Sequence, residues 1–305
     1  MSAAIGSGST SATRPAAWLE RTPVARTLIA LSVSVFVVQL VLTEGASLTH
    51  LPPREALGFG ASYPFATVGE HRWETLVTAC FLHSGILHLS LNMLVFWMAG
   101  PLVERRAGSA RTAILVLVAG ASGNLLGVAH GWFSRTSPVT VGSSGAIAGV
   151  LAAALVLGWR EGGWRGALTQ AAARWLAFFV FLGLLSWRLG GAVVDYAAHL
   201  GGALAGLVVG LVWRREPAHR VENVVLAGCA TVVVGCIAVV SLRDRTDPFA
   251  RMDLQARDTF TKEALRGGRC GEAHRGLAAV ERLRAGMGPV TSLRQVVEAT
   301  CGHTD

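Results

Sequence analysis

Apolar runs separated by short polar links dominate the chain. Seven runs reach the ~20 predominantly apolar residues that a helix needs to cross a bilayer. They fall at about 26–43, 80–102, 111–130, 142–159, 174–190, 195–213 and 223–242. A helix is expected for each, because an open strand in lipid would leave its backbone unpaired. Residues 1–25 are rich in Ser, Ala and Gly and predict a flexible terminus. A cleaved signal peptide is the rival reading of the first run; the long Ser/Gly-rich lead and the lack of a clear small-x-small site weigh against it. Beyond the last run, residues 243–305 place apolar positions at helical spacing, Leu265, Ala273 and Leu277–Val280 among them. Gly267–Gly268 and Gly286–Gly288 interrupt that stretch, which predicts short helices, a soluble helical hairpin. The expected fold class is therefore all-α. It comprises a polytopic transmembrane helix bundle with a six-span core over 26–213, a connector and seventh span over 214–242, and a small helical tail over 243–305.

Composition agrees with this pattern. Only 15% of residues are charged and mean hydropathy is +0.48, against about 25% charged in soluble domains. A disordered chain and an ordinary soluble enzyme are both excluded. The net charge of +8 comes almost wholly from arginine, Lys262 being the one lysine. These arginines sit in clusters between apolar runs, so they read as topology signals facing anionic lipid rather than as a nucleic-acid surface. Arg14, Arg21 and Arg26, then Arg105, Arg106 and Arg111, then Arg160, Arg165 and Arg174, then Arg214, Arg215 and Arg220 occupy alternate links. The other links hold only Arg54, Arg72, Arg135 and Arg188. The positive-inside rule then places the N-terminus in the cytoplasm and, after seven spans, the tail outside, as for a bacterial inner-membrane protein. Trp132, Trp159, Trp164, Trp187 and Trp213 near span ends read as an interfacial belt. Cys80, Cys229 and Cys236 lie in apolar runs and read as small buried residues. Cys270 and Cys301 lie in the tail, where an outside location permits a disulfide without dictating one.

Three strings place polar groups where lipid makes them costly, and such groups mark function by default. In the second run His88 and Asn92 stand four apart on one helix face, with His83 five residues earlier fixing the helix entry. They form either an interhelical hydrogen-bond pair or a functional one. The fourth run opens Gly142-Ser143-Ser144-Gly145. Glycines admit a close-lying backbone, and a helix N-terminus favours developing negative charge; a plain N-cap from Ser143 or Ser144 is the alternative. In the sixth run His199, Gly202, Gly206 and Gly210 share a stripe that lets a neighbouring helix approach closely. Small residues at Gly145, Gly149 and Ala152 of the fourth run suit that face. If the two faces pack, His199 meets Ser144. A serine needs a base to take its proton, histidine titrates in the right range, and a tetrahedral intermediate needs donors for its oxyanion. Asp195, one turn before His199, is either a helix cap or a third, orienting member. Asn124 and His130 in the third run read as structural.

Taken together, the strings resemble the rhomboid family of intramembrane serine proteases. The resemblance rests on His83 with His88 and Asn92, on Gly142-x-Ser144-Gly145, and on Ala198-His199 followed by Gly201-Gly202 and Gly206. Trp73 upstream and Gly100-Pro101 with Glu104-Arg105 also fit, and the match covers roughly residues 65–213. The resemblance implies that Ser144 is the nucleophile and His199 the general base of a dyad. It further implies that His88, Asn92 and the Ser144 amide stabilise the oxyanion, with His83, Gly142, Gly145 and Gly202 in support. It implies substrates that are transmembrane segments of other proteins, a bilayer as the working environment, no nucleic acid, and no metal or other cofactor. A catalytically inactive relative that binds and sequesters transmembrane clients is the alternative. Two positions depart from the family pattern: Glu74 follows Trp73 where arginine is usual, and Ala148 stands where an aromatic residue often packs under the histidine ring.

Overall fold

The computed structural model describes residues 22–136, 138–188, 195–213, 221–284 and 291–302. The expected flexible terminus up to residue 21 and the arginines at 14, 21, 214, 215 and 220 lie outside the described residues. The described residues form an all-α structure whose only β feature is a single bridge between Ser62 and Thr140.

The apolar runs become α1 (Pro23–Leu42), α5 (Ile86–Ala107), α6 (Ser109–Ser134), α7 (Ser144–Gly162), α8 (Ala167–Arg188), α9 (Tyr196–Val212) and α10 (Glu222–Thr246). Between α1 and α5 lie three short helices, α2 (Pro53–Phe59), α3 (Pro64–Gly69) and α4 (Thr75–Thr78). The tail folds as α11 (Leu254–Arg266), α12 (Cys270–Leu283) and α13 (Thr291–Cys301), with Cys270 and Cys301 joined in a disulfide. Among the described residues, α1, α5, α6, α7 with its trailing turn, and α10 are long and apolar enough to cross a membrane. The apolar stretches of α8 (167–181) and of α9 are shorter. The 17 residues of α9 rise about 26 Å, less than the ~30 Å hydrocarbon core.

Helix α7 is the axis of the bundle. Every residue from Gly145 through Ala154 is buried, the pattern expected of a helix that is apolar all round. Helices α5, α6, α8 and α9 pack around it. Helix α5 shows the opposite face: Leu87, Leu91, Leu94 and Met98 follow helical spacing and are exposed, a lipid-facing stripe. Helix α10 has no buried residue and leans on α6, α4 and α2 from outside. Cys229 and Cys236 are consequently only partly buried, as is Cys80, so their apolar surroundings in sequence overstate the burial of all three.

The second span starts later than its apolar run. Residues 79–81 form a tight turn and Leu82 is extended; the Ser84 carbonyl, taken by the Leu51 amide at 2.8 Å, is not free to start the helix earlier. Two ends are tied by distant side chains. Glu104 of α5 accepts from the Val24 and Ala25 amides at 2.9 and 2.8 Å, capping α1 with a carboxylate at the positive end of its dipole. Arg160 of α7 donates to the Gly210, Leu211 and Trp213 carbonyls, closing the other end of α9.

Candidate active site

Ser144 is the first residue of α7, where a helix has no internal acceptor for its N–H. Ser143 holds the cap position, but its side chain makes no cap hydrogen bond and instead faces His83 Nε2 at 3.5 Å. The simple N-cap explanation of this string therefore fails. Gly142 adopts φ +123°, a left-handed conformation that only glycine takes readily, and its amide donates to the Ala79 carbonyl at 2.9 Å. A Cβ there would lie 2.7 Å from His88 Cε1, 2.8 Å from His88 Nε2 and 3.5 Å from Asn92 Nδ2. The two polar side chains of α5 thus converge on the backbone just before Ser144.

Ser84 orients His88. Its hydroxyl lies 3.0 Å from His88 Nδ1, and its amide donates to the same nitrogen at 3.5 Å. A backbone N–H can only donate, so Nδ1 accepts and the neutral ring carries its proton on Nε2, the atom facing Gly142. Asn92 Nδ2 is buried with no hydrogen-bond partner among the described residues. Two donor positions therefore face the Gly142–Ser144 turn with their capacity unspent. His83 is fully buried, and its backbone exchanges two hydrogen bonds with the Gln39 side chain at 3.1 and 3.2 Å. Those bonds tie the segment leading into α5 to α1.

Helices α7 and α9 meet through their glycines. A Cβ on Gly202 would collide with the Gly145 carbonyl, and one on Gly206 with the Gly149 carbonyl. The Ala198 carbonyl lies 3.1 Å from where a Gly145 Cβ would sit. The residue after Ser144 therefore touches the residue before His199. Ser144 and His199 are not joined by a hydrogen bond in this state, and His199 Nδ1 is buried without a partner among the described residues. Catalytic hydrogen bonds are often long before substrate binds.

Phe179 of α8 packs edge-on against the His199 ring, centroids 4.8 Å apart. Ala148 leaves that role open, and an aromatic residue from another helix fills it. Asp195 is a cap: its Oδ1 accepts from the Ala198 amide at 2.9 Å and its Oδ2 from Thr140 Oγ1 at 3.2 Å. Asn124 donates to the Leu76 carbonyl, and His130 Nε2 pairs with the Tyr196 hydroxyl at 2.8 Å, both structural ties. Glu74 pairs with Arg243 of α10 at 3.6 Å, while Arg72 turns to Glu70 at 2.6 Å. The altered loop charge thus has its own partner on the outer helix.

Sequence reasoning missed Ser84, Phe179 and Gln39. Ser84 was legible as a hydroxyl four residues before His88, and Gln39 as an amide inside an apolar run. Nothing local marks Phe179.

A model of the rhomboid domain matches residues 70–216. The chain is a rhomboid-family protein. "RHOMBOID-like protein 6, mitochondrial" of Arabidopsis thaliana is 31% identical over 152 residues, 49% of this chain and 46% of that protein. "Rhomboid-type serine protease 2" of Emericella nidulans is 32% identical over 161 residues, 51% of this chain and 30% of that protein. "Rhomboid protease GluP" of Bacillus subtilis is 34% identical over 127 residues, 42% of this chain and 23% of that protein. The chain spans less than half the length of each of these relatives. The rhomboid domain and the long apolar helices make it an integral membrane protein. The matched region holds Ser144, His199, His88 and Asn92 and stops before α10 and the tail.

Proposed function

We propose that this rhomboid-family protein is an intramembrane serine endopeptidase. Its substrates are transmembrane segments of other proteins, which it cuts within or beside the bilayer. The observation that carries this reading is the contact of the Gly145 and Ala198 backbones, each the chain neighbour of one member of the dyad. In the first step Ser144 Oγ attacks the scissile carbonyl carbon while His199 takes the hydroxyl proton. The oxyanion of the tetrahedral intermediate is met by the Ser144 N–H, His88 Nε2–H and Asn92 Nδ2. Collapse breaks the C–N bond, His199 hands the proton to the departing amine, and an acyl-enzyme remains. Water, deprotonated by His199, then attacks the ester, and Ser144 regains its proton as the carboxylic acid leaves. A substrate helix must unwind to expose its carbonyl, so segments with Gly or Pro are favoured. The arginine pattern orients the protein with its N-terminus in the cytoplasm and its tail outside, as in a bacterial inner membrane.

The test is cleavage of a model transmembrane substrate in liposomes. Ser144→Ala and His199→Ala are each expected to abolish turnover, and His199→Ala to abolish labelling of Ser144 by a serine-reactive probe. Cleavage by Ser144→Ala would refute the assignment. The alternative, an inactive protein that sequesters transmembrane clients, draws on the unmade Ser144–His199 hydrogen bond. It predicts that the wild type binds substrate yet neither cleaves it nor labels.

A further inference from the structure

The tail is built into the end of the bundle that carries Ser144. Helix α10 starts beside the α5–α6 junction, where Glu222 accepts from the Ser109 amide. It ends beside the α1–α5 loop, where Arg243 donates to the Glu70 carbonyl at 3.2 Å. The loop and the tail are therefore on one side of the bundle, the side where α5, α7 and α9 begin.

At their junction Glu70 is the hub of a buried ion cluster. Arg257 of α11 is fully buried and donates to both Glu70 oxygens, at 2.5 and 3.2 Å. Its remaining donors reach the Met252, Ala279 and Phe249 carbonyls at 3.1, 2.8 and 2.9 Å. Arg72 lies 2.6 Å from Glu70 and donates to the Ala250 carbonyl at 2.7 Å. The Arg257 charge, buried and so fully partnered, is costly to break from one side. Around the cluster the two parts share a core: Leu283 of the tail packs with Leu57, Tyr63 and Phe65 of the loop, and Val139 packs against the same group. The Leu254 amide donates to the Tyr63 hydroxyl at 3.1 Å.

The loop passes this connection on. Ser62 and Thr140 exchange two backbone hydrogen bonds, at 3.0 and 2.8 Å. Thr140 stands four residues before Ser144, and its hydroxyl donates to Asp195, the cap of the helix that carries His199. We infer that the tail is a clamp on the catalytic loops, in which Arg257 and Glu70 are positioning residues that hold segment 139–144 and the Asp195 cap through Ser62 and Tyr63. This inference rests on the protease reading for its effect on turnover, but not for its effect on loop order.

The experiment uses the full chain in liposomes: wild type, Glu70→Gln, the milder Tyr63→Phe, and Arg269→Ala as control, since Arg269 pairs with Glu272 at the exposed surface of the tail. Steady-state kinetics on a transmembrane substrate are combined with amide exchange of segments 58–66 and 138–146. Glu70→Gln is expected to lower kcat about tenfold while KM stays within about twofold, because a small misplacement of reacting groups costs rate rather than binding. Tyr63→Phe should act in the same direction more weakly, both should speed exchange at Ser62 and Thr140, and Arg269→Ala should do neither. A rise in KM with kcat unchanged would overturn the clamp in favour of a client-docking tail, as would unaltered exchange at Thr140. A wild type that never cleaves sinks the protease reading instead, and exchange then decides the clamp alone. Should Glu70→Gln not fold, Tyr63→Phe, which removes a single hydroxyl, decides the clamp through the same two measurements.

Discussion

The imidazole of His199 has little to hold it besides the ring of Phe179. Its Nδ1 makes no hydrogen bond among the described residues, and Asp195, the nearest carboxylate in sequence, is spent on the cap of α9. An edge-to-face aromatic contact stabilises a pair by about 0.5–1.5 kcal/mol beyond area burial. That is enough to bias one ring orientation over another and too little to secure the fold. Phe179→Ala is therefore expected to lower kcat about tenfold with little change in KM. Phe179→Tyr, which keeps the ring edge, should restore most of the rate. Equal losses for both variants, read by the same cleavage assay, would show that Phe179 does not act through ring contact. His88 differs in being fixed by hydrogen bonds from Ser84, just before its own helix.

At the scale of elements, the contact between α7 and α9 decides the site. Its glycines are a steric necessity rather than a source of flexibility, because the Gly145 and Gly149 carbonyls occupy the places where side chains of Gly202 and Gly206 would begin. Backbone cannot yield as a flexible side chain can. Gly206→Ala is expected to cost about 1–3 kcal/mol, the usual range for overpacking. It should push α9 outward and lower turnover along with the thermal midpoint. Gly228 of α10 is the matched control, since a Cβ there meets nothing within 4 Å; Gly228→Ala should leave turnover unchanged and raise the midpoint slightly through helix propensity. An unaltered melting temperature for Gly206→Ala would mean that the two helices slide apart at no cost, contrary to the packing.

For the whole molecule, the junction of tail and loop carries a pH dependence. Burial disfavours the charged form of Glu70, but hydrogen bonding and charge from Arg257 and Arg72 outweigh it and hold the carboxyl below its ordinary range. Arg282, 3.7 Å away, and Arg243 at the Glu70 carbonyl add further positive charge on that side. In the unfolded chain a glutamate ionises near ~4.3. The stabilisation from Glu70 is thus complete above about that pH and is lost as pH falls through the lower, folded value. Limited proteolysis of the tail is expected to accelerate on acidification below pH ~4 in the wild type. It should be fast and nearly independent of pH around that point in Glu70→Gln. A wild-type tail equally resistant through that range would remove Glu70 as the source of the effect.

The sequence by itself determined which segments are apolar helices, which polar groups are misplaced in lipid, and which helix faces are narrow enough to touch. Those properties repeat with the helical period, so they can be read from residues three to five apart. It also narrowed the disulfide to Cys270 and Cys301 without deciding whether the bond forms. Tertiary structure alone decided that Ser143 is not a side-chain cap, that Phe179 stands under His199, that Glu104 caps α1, and that the tail grips the loop before α5. The Arg257–Glu70 pair joins residues 187 positions apart. Such a contact leaves no local periodicity, because it is fixed by how α10 carries the chain across to the side of the α1–α5 loop and not by the preference of either residue.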